Sequence, residues 1–251
     1  MKSRALLYLL LLVSAAAAQL TRVSAPSIEL APPNPPSNFG KFDAASDSGS
    51  IVVSVADLAV PPRARKQFDK SNELLRKQRL DDALHELNKA VRIYPHFAGA
   101  YNNMGVIYAR LGDTACERLS LQTAIDLNDR FELAYVNWAR MDLASADYKD
   151  ADTALRKASS LDASDSAPLV LLAYSALAQG RLQEAVTLSQ KAHALGRSHA
   201  FAHRVAARVF EQQNQLERAI AELKLCLEEQ PDSPGVEAVR SELKLVQSLA
   251  R

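Results

Sequence analysis

Apolar and small residues recur along this chain at helical spacing, most cleanly in Leu80–Ala90 (LDDALHELNKA), where Ala83, Leu87 and Ala90 alternate with charged positions. The pattern returns as Tyr148–Ala158, Leu182–Ala192 and Leu216–Cys226, with a degraded copy at Thr114–Ala124; each return falls 34 residues after the last. A fixed period of 34 is the mark of stacked helical hairpins. Aligning five copies from Ala64, Ala98, Glu132, Ser166 and Ala200 gives columns with a packing meaning. Ser71, Gly105, Ala139, Ala173 and Ala207 form a small column in the first helix, and Ala83, Glu117, Ala151, Ala185 and Ala219 its counterpart in the second. Only small side chains let the two helices of a hairpin approach closely. A further small column (Ala90, Ala124, Ala158, Ala192, Cys226) fits each second helix under the next copy, and a large one (Leu87, Leu121, Leu155, Ser189, Leu223) fills the space between.

The pattern also marks where the array stops. Pro231–Gly235 breaks it, and Val236–Ala250 is apolar at helical spacing again, as a terminal helix that caps an array should be. Upstream, Ile51–Val55 is β-branched enough for a short strand, which would lie as a cover on the first hairpin, and Pro61-Pro62 ends it just ahead of the first helix. Residues 19–49 are rich in Pro, Ser, Asn and Ala around Ala31-Pro-Pro-Asn-Pro-Pro36, a composition that reads as a disordered tether. Residues 1–18 place Lys2 and Arg4 before the apolar run Ala5–Ala18, which closes on small residues before Gln19. That is the layout of a cleaved signal peptide, and the run is shorter than the ~20 residues of a spanning helix. The expected organisation is therefore a signal peptide (1–18), a Pro-rich tether (19–49), a cover segment (50–63), five repeats over 64–231 (64–97, 98–131, 132–165, 166–199 and 200–233) and a capping helix (234–251).

The columns resemble the tetratricopeptide repeat, whose pattern is a bulky residue, Leu-Gly, an aromatic, then Ala, an apolar residue, Ala and a closing Pro. Tyr101, Met104, Gly105 and Tyr108 match it in the second copy, Ala83, Leu87, Ala90 and Pro95 in the first, and Pro231 closes the fifth. The resemblance implies an all-α fold, a right-handed superhelical solenoid of five helix-turn-helix repeats plus the cap. Three positions depart from the pattern. Glu117 replaces a packing alanine, so the second helix of copy two is expected to be rotated or frayed; Asp142 stands for an aromatic and Ser189 for a large apolar residue.

Composition narrows the chemistry. Thirty basic against 29 acidic residues leave a net charge of +1, too little for a nucleic-acid partner. Cys116 and Cys226 sit three copies apart, beyond the ~7 Å that a disulfide spans, and are read as free packing residues. No phosphate loop, nucleophile elbow or paired-cysteine metal motif is present, so neither catalytic residues nor a cofactor is assigned. His199 and His203 have a spacing that could serve zinc, but His199 falls near a helix cap and His203 in a packed column, so no metal is assigned to them.

The resemblance further implies that the first helices line a concave groove holding an extended peptide or a partner's helix. Carried over copy by copy, its candidate peptide-binding residues are Asn72, Arg76, Asn102, Asn103, Arg110, Asn137, Arg140, Tyr174, Arg204 and Arg208. Asn72, Asn103 and Asn137 would hold a peptide backbone as an amide ladder, and the arginines would fork onto carboxylates. A carboxylate clamp for chaperone tails is not intact, because Phe68, Leu133 and Asn137 fill its basic places. The expected function is an exported, periplasmic or secreted, non-enzymatic scaffold that binds an extended or acidic protein segment, with no membrane span after signal cleavage and homo-oligomerisation left open. The alternative is an envelope enzyme accessory or a module binding a metal or small molecule.

Overall fold

The computed structural model describes residues 60–195, 200–231 and 235–251. The expected signal peptide, tether and most of the cover segment lie outside the described residues, as does His199. Among the described residues the chain folds into eleven helices and no strand. They are α1 (Pro62–Arg76), α2 (Leu80–Ile93), α3 (Ala98–Leu111), α4 (Thr114–Leu127), α5 (Glu132–Ala144), α6 (Tyr148–Leu161), α7 (Ala167–Ala178), α8 (Leu182–Ala194), α9 (Ala200–Gln212), α10 (Leu216–Glu229) and α11 (Val236–Leu249). Odd-numbered helices up to α9 are the first helices of the five copies and even-numbered ones the second. The result is the all-α repeat solenoid expected from the period, with α11 packed on α10 at its end.

Helix α1 starts earlier than the copy boundary suggests. Pro62 is its first residue, where the missing N–H costs nothing, and the Arg65 amide donates to the Pro61 carbonyl at 3.0 Å to close the first turn. Val60, the first described residue, is buried in the same apolar block as Ala64 and Leu87.

Every first helix ends in the same way. Gln78, Gly112, Ala146, Gly180 and Asn214, again 34 residues apart, have φ of 59°, 76°, 60°, 71° and 55°. Around each, the amide of the next residue reaches back five places, as Arg79 to Leu74, Asp113 to Tyr108, Asp147 to Asp142, Arg181 to Ala176 and Gln215 to Phe210, at 2.8–3.0 Å. The left-handed residue itself bonds three places back, so both orphan carbonyl positions of a Schellman motif are satisfied in all five copies. Glycine adopts this conformation without steric cost; alanine does not. Ala146→Gly is therefore expected to stabilise the fold by about 0.5–1 kcal/mol. Gly112, with nothing within 4 Å of an added Cβ, should show the opposite sign when changed to Ala. Thermal unfolding of both variants reads the prediction, and two shifts of the same sign would refute it.

The packing columns are where the repeat predicts them. Ser71, Ala139, Ala173 and Ala207 are fully buried, as are Ala83, Ala151, Ala185 and Ala219. At Gly105 a Cβ would stand 2.7 Å from Leu121 Cγ and Cδ2, so only glycine lets α3 lie this close to α4. The weak copy does not fray: α4 runs unbroken from Thr114 to Leu127, and Asp113 caps it by accepting the Cys116 amide at 3.0 Å. The core changes at this copy instead. One block of apolar side chains runs from Val60 to Ile107 and another from Val136 to Val246, and the buried residues of α4, Leu121 and Ala124, belong to neither. The core divides between copies two and three. Both cysteines are free, Cys226 buried and Cys116 half-buried.

Candidate functional site

The first helices approach one another more closely than the second helices do: α3 touches α5, α5 touches α7 and α7 touches α9. They form the inner wall of the array, and the candidate residues fall on them. Across α1, α3 and α5 the amides do not stand as separate rungs. The Arg140 Nη1 donates to Asn137 Oδ1 (2.9 Å), Asn137 Nδ2 to Asn102 Oδ1 (2.8 Å), Asn102 Nδ2 to Asn103 Oδ1 (3.3 Å) and Asn103 Nδ2 to Asn72 Oδ1 (2.7 Å). Each asparagine oxygen takes one bond and the nitrogens of Asn137, Asn102 and Asn103 give one each, so three first helices are tied in a single directional chain. Asn102 and Asn137 are buried, and their amides join helix to helix instead of facing a peptide. Asn72 and Asn103 remain half-buried at the chain's far end.

Beside this chain lies a cleft of about 450 Å³ between copies two and three. Gly105, Val106 and Arg110 of α3, Thr114 and Glu117 of α4, and Asn137, Arg140 and Met141 of α5 line it. It opens where Glu117 stands in place of the small residue that closes every other hairpin. Burial raises the Glu117 carboxyl above its ordinary value, with Arg118 opposing and Asp142 adding to the shift. Arg118 also stacks over Trp138 of α5, 5.4 Å from the ring centre.

Arg140 sits between the cleft and a set of acids. Burial pulls its guanidinium down to about 10, opposed by Glu132 and Asp165, so it stays charged at neutral pH. Glu132 is pushed up to about 7, chiefly by burial and then by Asp165 and Asp162, while Arg140 draws it down. Asp165 is held in place by the start of α7, where its Oδ1 accepts the Ala167 amide at 3.0 Å. Asp142, buried in the column where an aromatic is usual, is likewise raised by burial to about 6.

The C-terminal half of the wall is closed. Helix α7 is buried over nearly its whole surface, Tyr174 included, whose ring packs 6.0 Å from that of Phe201. Arg204 Nε donates to Glu242 Oε2 at 3.1 Å, and Arg208 pairs with Glu242 Oε1 at 3.0 Å and with Glu211 at 2.8 Å. The capping helix thus takes up both arginines with a carboxylate of its own. Of the ten candidate residues, Arg76 is exposed and Asn72, Asn103 and Arg110 are half-buried on α1 and α3, while Arg140 of α5 lines the cleft from a largely buried position. Tyr174, Arg204 and Arg208 serve the interior and the cap. Sequence reasoning missed Glu117 and Glu132 as site residues, although Glu117 already stood out as the one charge in a small column. His203 is buried, as its column suggests, with Nδ1 2.7 Å from Glu222 Oε2, a hydrogen bond that raises its pKa above the ordinary value.

Family models described as TPR repeat and Tetratricopeptide repeat match residues 72–112 and 176–243. Among solved structures, the chain is similar to the APC/C hetero-tetramer Cut9-Hcn1, at 16% identity and a TM-score of 0.65 over 73% of this chain and 36% of that one. It therefore spans little more than a third of that structure's chain. PilF of Pseudomonas aeruginosa matches at 16% identity and a TM-score of 0.65, covering 74% of this chain and 85% of that one. YrrB, described as a TPR protein with an unusual peptide-binding site, matches at 19% identity and a TM-score of 0.53, covering 71% and 92%. A comparison with curated proteins finds no sequence match.

Proposed function

We propose that this chain, a tetratricopeptide-repeat protein and as such a scaffold for protein–protein contact, holds an extended acidic segment of a partner across its first three copies and performs no catalysis. The observation that carries the reading is the cleft at the divide between copies two and three, which Arg110, Asn137 and Arg140 line together. The guanidinium forks of Arg110 and Arg140 suit carboxylates, and Arg76 extends the basic stretch along α1. That YrrB, of the same fold, has a peptide-binding site supports a peptide as the ligand class.

Fluorescence anisotropy with a labelled Asp/Glu-rich peptide tests the assignment. Wild type should bind it, more weakly at high salt, and Arg110→Glu should lose at least about tenfold in affinity with an unchanged circular-dichroism spectrum. Equal affinity for a Lys-rich peptide, or binding retained by Arg110→Glu, would overturn it.

The export reading rests on the charge and apolar pattern of residues 1–18, and places the scaffold in the periplasm or outside the cell. The intact mass of the mature protein should correspond to a chain beginning at Gln19; a chain that keeps residues 1–18 would exclude cleavage there. Among the described residues no helix is long and apolar enough to cross a membrane.

A further inference from the structure

Away from the cleft, three side chains of ligating type meet at the joint between copies four and five. His193 lies in the last turn of α8, His203 in the first half of α9, and Glu229 ends α10. One ligand-type atom from each lies within 4.8 Å of the other two. His203 Nε2 is 3.4 Å from Glu229 Oε1, and His193 Nδ1 is 3.9 Å from the same oxygen. The two imidazoles meet edge to face, ring centres 4.9 Å apart.

The second ring nitrogen of His203 is already committed. Its Nδ1 lies 2.7 Å from Glu222 Oε2. With a metal on Nε2, that carboxylate would accept the Nδ1 proton and hold the neutral, ligating tautomer. His203 Nε2 is buried, and the Glu229 oxygen facing it at 3.4 Å stands at the outer limit of a hydrogen bond. Around a zinc ion with bonds of ~2.0–2.1 Å, neighbouring ligand atoms of a tetrahedron stand about 3.4 Å apart. The His203–Glu229 pair has that spacing now. His193, whose side chain is exposed, closes the rest by a change of rotamer.

A proton could hold the same place, making His203 an imidazolium between Glu222 and Glu229. That arrangement would also place His193 as a second cation beside Glu229, whereas a divalent ion uses both imidazoles as neutral nitrogen donors. Two imidazoles and one carboxylate suit zinc and its neighbours in the transition series, and calcium or magnesium poorly.

We propose that His193, His203 and Glu229 bind a zinc-class divalent ion, with Glu222 holding His203 in the ligating tautomer. The ion ties the end of α8 to α9 and α10 and so pins the fifth copy to the fourth.

The test uses the full chain without a histidine tag, stripped with a chelator and titrated with zinc chloride at neutral pH by calorimetry. Cobalt chloride serves as the spectroscopic probe. Expected are one saturable zinc per chain, a rise in the thermal midpoint with zinc, and visible cobalt bands. His193→Ala, a surface change that leaves the core intact, should weaken zinc at least tenfold, and Glu222→Gln by about 10–100-fold. Absence of saturable zinc binding would overturn the proposal. So would zinc affinity unchanged in both His193→Ala and Glu229→Gln, or calcium chloride binding as well as zinc.

Discussion

Replacing Arg140 with methionine is expected to lower the unfolding free energy by about 3–5 kcal/mol, the cost of removing one partner from a buried set of charges. The guanidinium is the cation that Glu132 and Asp165 share within the third copy, and it also starts the chain of amide bonds through Asn137. Methionine keeps much of the volume and supplies neither charge nor donor. Charge reversal at Arg140 would be worse, because a new carboxylate would face Glu132, so Arg110 is the cleaner position for testing ligand capture.

The same acids set a pH dependence. Glu132 moves from an ordinary 4.5 to about 7 in the fold, so between these values the folded chain binds a proton that the unfolded chain has lost. Its contribution to stability is full below pH 4.5 and disappears as pH rises through about 7. Asp142, raised to about 6, acts with the same sign. The urea midpoint of the wild type should therefore fall between about pH 5 and about pH 7.5, and Glu132→Gln should flatten part of that slope. An identical slope in the variant would mean that Glu132 is not the buried acid responsible.

Leu87→Ala is the second large effect, at about 2–5 kcal/mol. Leu87 is wholly buried at the centre of the block that runs from Val60 to Ile107, and the alanines around it, Ala64, Ala83 and Ala90, are short and cannot reach into the space it would leave. Chemical denaturation with the first block's near-ultraviolet signal as probe reads it. A loss well under 1 kcal/mol, the ordinary size of a surface substitution, would mean that this column does not face the core.

The array was legible in the sequence because a solenoid repeats its packing demands. Close helix approach requires small residues at Ala83 and Ala151, and no other arrangement serves. The five left-handed turns were less visible, since only Gly112 and Gly180 carry glycine; at Gln78, Ala146 and Asn214 the hairpin imposes a conformation that the residue does not favour. The wall was legible in part. Register along a helix identified Arg76, Arg110 and Arg140, but spacing within one copy says nothing of what the neighbouring copy presents. Asn102 and Asn137 were for that reason read as ligand contacts when they bond to one another. Arg204 and Arg208 were read as open when the partner carboxylate, Glu242, comes from a capping helix whose docking angle no period encodes. The Glu132 and Asp165 acids, more than thirty positions apart, meet only because one first helix lies beside the next.

The divided core sets how the chain loses its fold. Solenoid stability is a sum of unit terms and nearest-neighbour couplings, and across copies two and three neither apolar block is continuous, so the Asn137–Asn102 amide bond and the Arg118–Trp138 contact carry a larger share of the coupling there. Heat should then melt the chain as two domains in the calorimetric sense, with an intermediate in which one block persists. Arg110 belongs to the first block and Arg140 to the second, so a ligand seated between them works as mortar, and its binding energy appears as cooperativity between halves that otherwise melt apart.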